Sequence, residues 1–414
     1  MRHPLVVPSA TVLLCLACSG GSGGTGTVEF PDAGSTGGGA DAGSASTCAG
    51  VVAGGGAVGV GSADYGGGSG SANVAGGGSL LAKDALLDGP IVWTADGSEV
   101  VYIGHPPGSH TYALRATRLR GGTTRQLDVP MPTPSLPIAR AADGTALYYV
   151  ARDDELRDAV SGKSVAPRDS RYTGALATSL NGRLIFYWDP AAMTGGPVAN
   201  GAAILLDVGR ASSIPIASCG SSWFAFSPAA DSALCADACT SYDPAAAQRF
   251  NLIDVATASV RQRVTTTLSP RALQWDGAIL QVAGTRANEL VVADLLRGIP
   301  RVIYRPPAPS SSTEKTDDFP NGSRMTGITF SADGRKLAFW KAECIGRNSY
   351  EPTYCAKAPG ELFVLDLHTG ALRVIASAEA TLDGGGGVGR IAFSDDATRV
   401  AYQVRAEIFV GATR

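Results

Sequence analysis

Few side chains in this sequence of 414 residues are of the types that do chemistry, and there are only four histidines among them. His3 lies at the start of the chain and His368 in a short His-Thr-Gly turn. His105 and His110 share the segment GHPPGSH. Two imidazoles five apart in a Pro-Gly loop could fill two positions on a metal ion, but a zinc site needs a third or fourth ligand. The segment therefore reads as a solvated loop. Cys235-x-x-x-Cys239 offers half of a zinc site and has no second close pair to complete it. Gly59-Val60-Gly61 has the start of a dinucleotide fingerprint, yet no strand leads into it and no helix follows. The run DGGGGVGR, residues 383 to 390, lacks the Gly-Lys-Ser/Thr of a phosphate loop. Asp96, Asp143, Asp207, Asp254, Asp333 and Asp366 stand at turn-like positions. Their default task is to accept nearby backbone N–H groups, with a Ca²⁺ role as the alternative. No catalytic residue, cofactor or metal is expected from this inventory.

The composition narrows the partners. A net charge of −3 supplies no basic field for nucleic acid. Hydrophobic residues make up 44%, enough for a sizeable core, but the 53 glycines are unevenly spread. Residues 19–79 hold 23 of them, with no Lys or Arg and almost no aromatic residue. Such a segment cannot offset its own chain entropy, so it is expected to be a disordered Gly/Ser/Ala-rich tether with ends roughly 40–50 Å apart.

The remainder, residues 80–414, repeats one phrase. ITFSADGRKLAFW, Ile328 to Trp340, puts two alternating apolar runs around a polar tip, the pattern of a β-hairpin. Related phrases occupy Ile91 to Gly104, Ile138 to Ala151, Ala175 to Trp188, Trp223 to Ala236, Ala272 to Gly284 and Ile391 to Val404. They fall roughly 40 to 60 residues apart, one supersecondary unit per repeat. A second hairpin follows most of them, clearest in ELFVLDLHTGALRVI, Glu361 to Ile375. Two hairpins make four strands, and four strands per repeat make a propeller blade. The fold class expected is thus all-β, a seven-bladed β-propeller. Its last copy has only three strands of its own, and Leu80 to Leu87 is expected to supply the fourth and close the ring.

Two resemblances sharpen this. Phe330 to Phe339 and Leu362 to Gly370, reading Phe-Ser-x-Asp-Gly-x-x-Leu-Ala-Phe and Leu-Phe-Val-Leu-Asp-Leu-x-Thr-Gly, resemble the TolB-like propeller repeat. The likeness is strong in the first, sixth and seventh copies. TolB-like propellers also precede serine peptidase domains and occur in some metal-dependent pectate-type lyases. The first would need a further α/β domain, and the second a cluster of pocket histidines. At the other end, Arg2 and His3 precede an apolar run from Leu5 to Ala17 that is too short to span a bilayer. Its ending, LeuLeuCysLeuAlaCys, resembles a bacterial lipoprotein signal over residues 1–18, with Cys18 as the lipidated residue. Cys15 and Leu16 depart from the usual pattern, and an ordinary cleaved secretory signal is the alternative. Ser19 resembles the outer-membrane-sorted version. Either reading exports the protein.

Export makes disulfides the expected state of paired cysteines. Cys344 and Cys355 bracket IGRNSYEPTY in the sixth copy and are expected to join. Counting back from the hairpin tip of the fourth copy places Cys219 opposite Cys239, which leaves Cys235 for Cys48 or free. Loop length adds a last signal. The first-to-second and third-to-fourth strand turns are tight. The long segments, His105 to His110, Pro190 to Gly201, Thr240 to Gln248, Pro306 to Arg324 and Cys344 to Cys355, belong to the opposite end of the blades. Long loops on a rigid scaffold are where binding concentrates. Tyr242, Arg305, Phe319, Arg324, Arg347, Tyr350 and Tyr354 fall there, and aromatic and Arg side chains make strong contact sites. The sequence thus points to a lipid-anchored envelope protein whose propeller binds or scaffolds an envelope protein or glycan. The alternative is a propeller lyase or glycan hydrolase with a central-pocket site.

Overall fold

Each copy of the repeated phrase folds through the same local bonds. In the sixth, the Ser331 hydroxyl donates to Asp333 Oδ1 at 2.6 Å and accepts the Lys336 N–H at 2.9 Å. The Arg335 N–H reaches the same carboxylate at 3.1 Å, and Gly334 takes φ +66°. Thr94 with Asp96, Ser179 with Asn181 and Ser394 with Asp396 repeat the arrangement. At the other tight turn of the blades, Asp207, Asp254, Asp294 and Asp366 accept the N–H groups two or three residues onward. Asp96, Asp207, Asp254, Asp333 and Asp366 are thus turn caps, and Asp143 lies outside the described residues.

The structure is a computed structural model, and it describes residues 74–86, 89–106, 109, 111–128, 138–141, 146–150, 155–165, 176–179, 181–189, 202–216, 218–237, 248–276, 279–286, 289–307, 313, 323–347, 355–380 and 388–414. All regular elements among them are strands. They form seven antiparallel sheets in chain order, the four-stranded blades of a β-propeller. In blade 2 the fourth strand is represented by the bridge between Arg157 and Ser164. The innermost strands are Ile91–Trp93, Ile138–Arg140, Leu176–Thr178, Cys219–Phe226, Ser269–Asp276, Ser323–Phe330 and Val388–Phe393. Each touches the next, and the last touches the first, so the ring is closed. The core is correspondingly a circle of apolar clusters between neighbouring blades, centred on fully buried Trp93, Tyr102, Phe186, Phe250, Phe339, Trp340 and Tyr402.

Ring closure uses the N-terminal segment, with one difference from expectation. The closing strand is Gly78–Ala82, paired with Glu407–Ala412 of blade 7, rather than Leu80 to Leu87. A further strand, Val74–Gly76, adds to the outer edge of blade 6 against Leu372–Ala380. Residues 74–79 of the segment 19–79 read as tether are therefore part of the ordered sheet structure. Between the two strands the Gly77 N–H donates to Ile375 O at 3.3 Å. Beyond them the Ala85 N–H donates to Ala406 O and the Leu86 N–H to Ile103 O, at 2.9 and 2.7 Å. Asp84 forms an ion pair with buried Arg115 and accepts the Tyr102 hydroxyl at 3.0 Å. Residues 74–86 thus act as a strap across blades 6, 7 and 1.

The strap explains two of three consecutive glycines that look like low complexity. A Cβ on Gly78 would stand 1.9 Å from the Tyr402 hydroxyl, and one on Gly76, at φ +121°, 2.9 Å from Ile375 O. Only glycine allows that approach. Around Gly77, by contrast, nothing lies within 4 Å of the added atom.

Candidate functional site

On the end of the ring with the long connections, charge is concentrated between blades 5 and 6. The outer strand of blade 5, Ile299–Tyr304, ends on Tyr304, whose ring lies 5.1 Å from Phe339 and 5.6 Å from Phe363 of blade 6. Phe339 and Phe363 are cross-strand partners stacked at 5.4 Å. Two residues outward on the same two strands, Lys341 and Glu361 face each other in register. Side chains alternate along a strand, so they share the face of the aromatic layer. The Lys341 side chain is only 8% exposed, and its ammonium reaches Glu343 Oε1 at 2.5 Å. Thr313 donates to the other oxygen of Glu343 at 3.4 Å. Burial, with the negative charges of Glu361 and Glu343, pushes the Tyr304 phenol up, so it stays protonated and able to donate at neutral pH. One buried ammonium, two carboxylates and a phenol make a compact set of donors and acceptors with a net charge of −1.

None of these four residues was singled out from sequence. A signal existed: in Phe339-Trp340-Lys341-Ala342-Glu343 one face of a buried strand switches from aromatic to charged while the other stays apolar. Charges keeping a strand's buried period need partners.

Among the expected face residues, Arg305 is exposed and pairs with Glu289 across blade 5 at 2.6 Å. Arg324 lies in the inner strand of blade 6, Ser323–Phe330, and Arg347 ends the short strand Ile345–Arg347. Their side chains fall outside the described residues, as do Tyr242, Phe319, Tyr350 and Tyr354 altogether. Cys18 lies outside them too. His105 is held structurally, Nδ1 3.1 Å from Thr111 O and its ring against Tyr112 at 4.3 Å. His110 is outside the described residues. Among those described, no group of three His, Cys, Asp or Glu is placed to hold a metal.

The cysteine pairing in blade 4 corrects the expectation. Cys219 is joined to Cys235, with Cα atoms 5.5 Å apart, and not to Cys239. An unbroken ladder running back from Phe224 opposite Cys235 would put Cys219 opposite Thr240, beside Cys239. Instead the register shifts between Cys219 and Phe224, around Trp223 at φ +62°, and Cys219 faces Asp237. A bulge absorbs the extra residues, which brings Cys235 within reach. With Cys235 in a disulfide, the Cys235–Cys239 zinc reading also loses a thiolate. Cys344 is disulfide-bonded and fully buried. Cys355 opens the third strand of blade 6 opposite Arg347, and its pairing lies outside the described side chains.

The fold defines the class: a seven-bladed β-propeller closed by its N-terminal strand. No protein-family model matches the chain, and no curated protein matches it in sequence. Solved structures match it at low identity. A β-propeller domain from Myceliophteria thermophila is 11% identical with a TM-score of 0.47, over 82% of this chain and 100% of that one. Hydrazine synthase from Kuenenia stuttgartiensis is 13% identical with a TM-score of 0.49, over 80% and 97%. Oligogalacturonate lyase from Vibrio parahaemolyticus is 12% identical with a TM-score of 0.48, over 83% and 92%. None of these likenesses carries an activity across.

Proposed function

We propose that the protein is an exported, TolB-like propeller, anchored by a lipid at Cys18, that binds or scaffolds an envelope protein or glycan at the outer membrane. The observation that carries the reading is the difference between the two ends of one rigid ring. At one end the described turns are short, and most are capped by their own Ser, Thr or Asp. At the other, blade 6 presents the Lys341, Glu343 and Glu361 cluster beside Tyr304, next to the sequence-long connections. A scaffold that holds its strands fixed loses little entropy when such a face meets a partner. The anchor rests on the resemblance of residues 1–18 to a lipoprotein signal.

Two experiments test the two halves separately. Cys18→Ser should move the protein from the membrane to the soluble fraction, and unchanged membrane retention would remove the anchor. Capture from detergent-solubilised envelope should lose its specific partner when residues 308–322 are replaced by a short Gly/Ser linker. A partner retained by that variant would place recognition elsewhere on the ring.

A further inference from the structure

The end of the ring with the short turns has a binding feature of its own. Between blades 5 and 6 a groove of about 420 Å³ opens, with Ile279, Gln281, Ile299, Arg301, Arg335 and Leu367 in its walls. Its lining is largely apolar. Ile299 is 65% exposed at the rim, an unusual position for so large an apolar side chain. The carboxamide oxygen of Gln281 is buried without a partner, a cost that native structures usually avoid.

The charges around this groove are not balanced in place. Asp294 and Asp333 line it, but both are engaged by their own turns. Asp294 accepts the Leu296 N–H and pairs with Arg297, and Asp333 accepts Ser331 Oγ and the Arg335 N–H. Arg301 crosses the groove to donate to Leu367 O at 3.2 Å. Arg301 and Arg335 are exposed and form no ion pair among the described residues. The groove between blades 3 and 4, about 340 Å³, is its counterpart by repeat geometry. There Arg183 and Arg210 both close on Asp207, at 3.2 and 3.6 Å. At blades 5 and 6, Arg301 and Arg335 have no carboxylate within ion-pair distance among the described residues, although the Arg335 charge is near enough to help hold the Asp366 carboxyl down.

We infer that this groove docks an acidic, apolar peptide segment of another protein, in extended form. Its apolar side chains lie against Ile279, Ile299 and Leu367, and its carboxylates meet the forked donors of Arg301 and Arg335. This site is on the opposite end of the ring from the long connections and stands or falls without the envelope reading.

The test is selection of a random dodecapeptide library on the full chain, with the Arg301→Glu/Arg335→Glu chain as counter-selector. The expected winners are rich in Asp or Glu together with Leu, Ile or Phe. A synthetic copy of the best should bind wild type by fluorescence titration, and should weaken as salt rises. It should lose about tenfold or more on the double variant and be unaffected by Arg183→Glu/Arg210→Glu. If the double variant does not fold, Ile299→Asp, at a position mostly in solvent, serves in its place with the same expected loss. Winners without acidic enrichment, no winners, or a peptide that binds the variants as it binds wild type would each overturn the proposal.

Discussion

Asp96 and Asp396 give the ring an acid limit. Hydrogen bonds from Ser98 and Thr94 hold the first down to about 2, and bonds from Ser394 and Thr398 do the same for the second. An unfolded Asp titrates near 3.8. Because the folded values are depressed, the stabilisation is complete above pH ~4 and disappears as pH falls toward ~2. Denaturation midpoints should drop across that window, and the Asp96→Asn/Asp396→Asn variant should show a shallower drop; parallel curves would refute the assignment. Lys341 and Glu343 make a different residue-scale prediction. Glu343→Ala takes away the carboxylate bonded to a buried ammonium and should cost about 3 kcal/mol, whereas Lys341→Met removes the charge and should cost less. Urea unfolding of the two variants decides the order. Not all of this was legible. The capping Asp and Ser residues could be read because their effect is local, within five residues of sequence. The Cys219–Cys235 bridge could not, because a bulge between Cys219 and Phe224 resets the register, and a lone Gly220 there does not say how many residues the bulge absorbs. Non-reducing peptide mapping should recover that bridge, and replacing both residues by Ser should cost about 3 kcal/mol.

At the scale of elements, the hairpins were plain in the sequence since a period of two with a polar tip has one structural solution. The strap was not. Val74–Gly76 and Gly78–Ala82 are short, meet in a run of three glycines, and owe their order to edges made more than 290 residues later. Composition alone reads such a stretch as tether, because nothing local reveals that Tyr402 waits opposite Gly78. The same contact makes a sharp comparison. Gly78→Ala forces a methyl group onto a buried phenol and should destabilise by about 1–3 kcal/mol. Gly77→Ala, with open space around it, should stay within roughly 0.5 kcal/mol of wild type. Equal thermal shifts in the pair would mean that the strap does not sit against Tyr402.

For the whole ring, closure joins Gly78–Ala82 to the last strand, Glu407–Ala412, so the ring depends on both ends of the described chain. The strap also has a mechanical meaning. Tension arriving through the N-terminal chain meets the three residue pairs of Val74–Gly76 on blade 6 before it reaches Gly78–Ala82 on blade 7. The short outer strand is a strain relief: it takes load first, can peel without opening the ring, and shields the strand whose loss would break the circle.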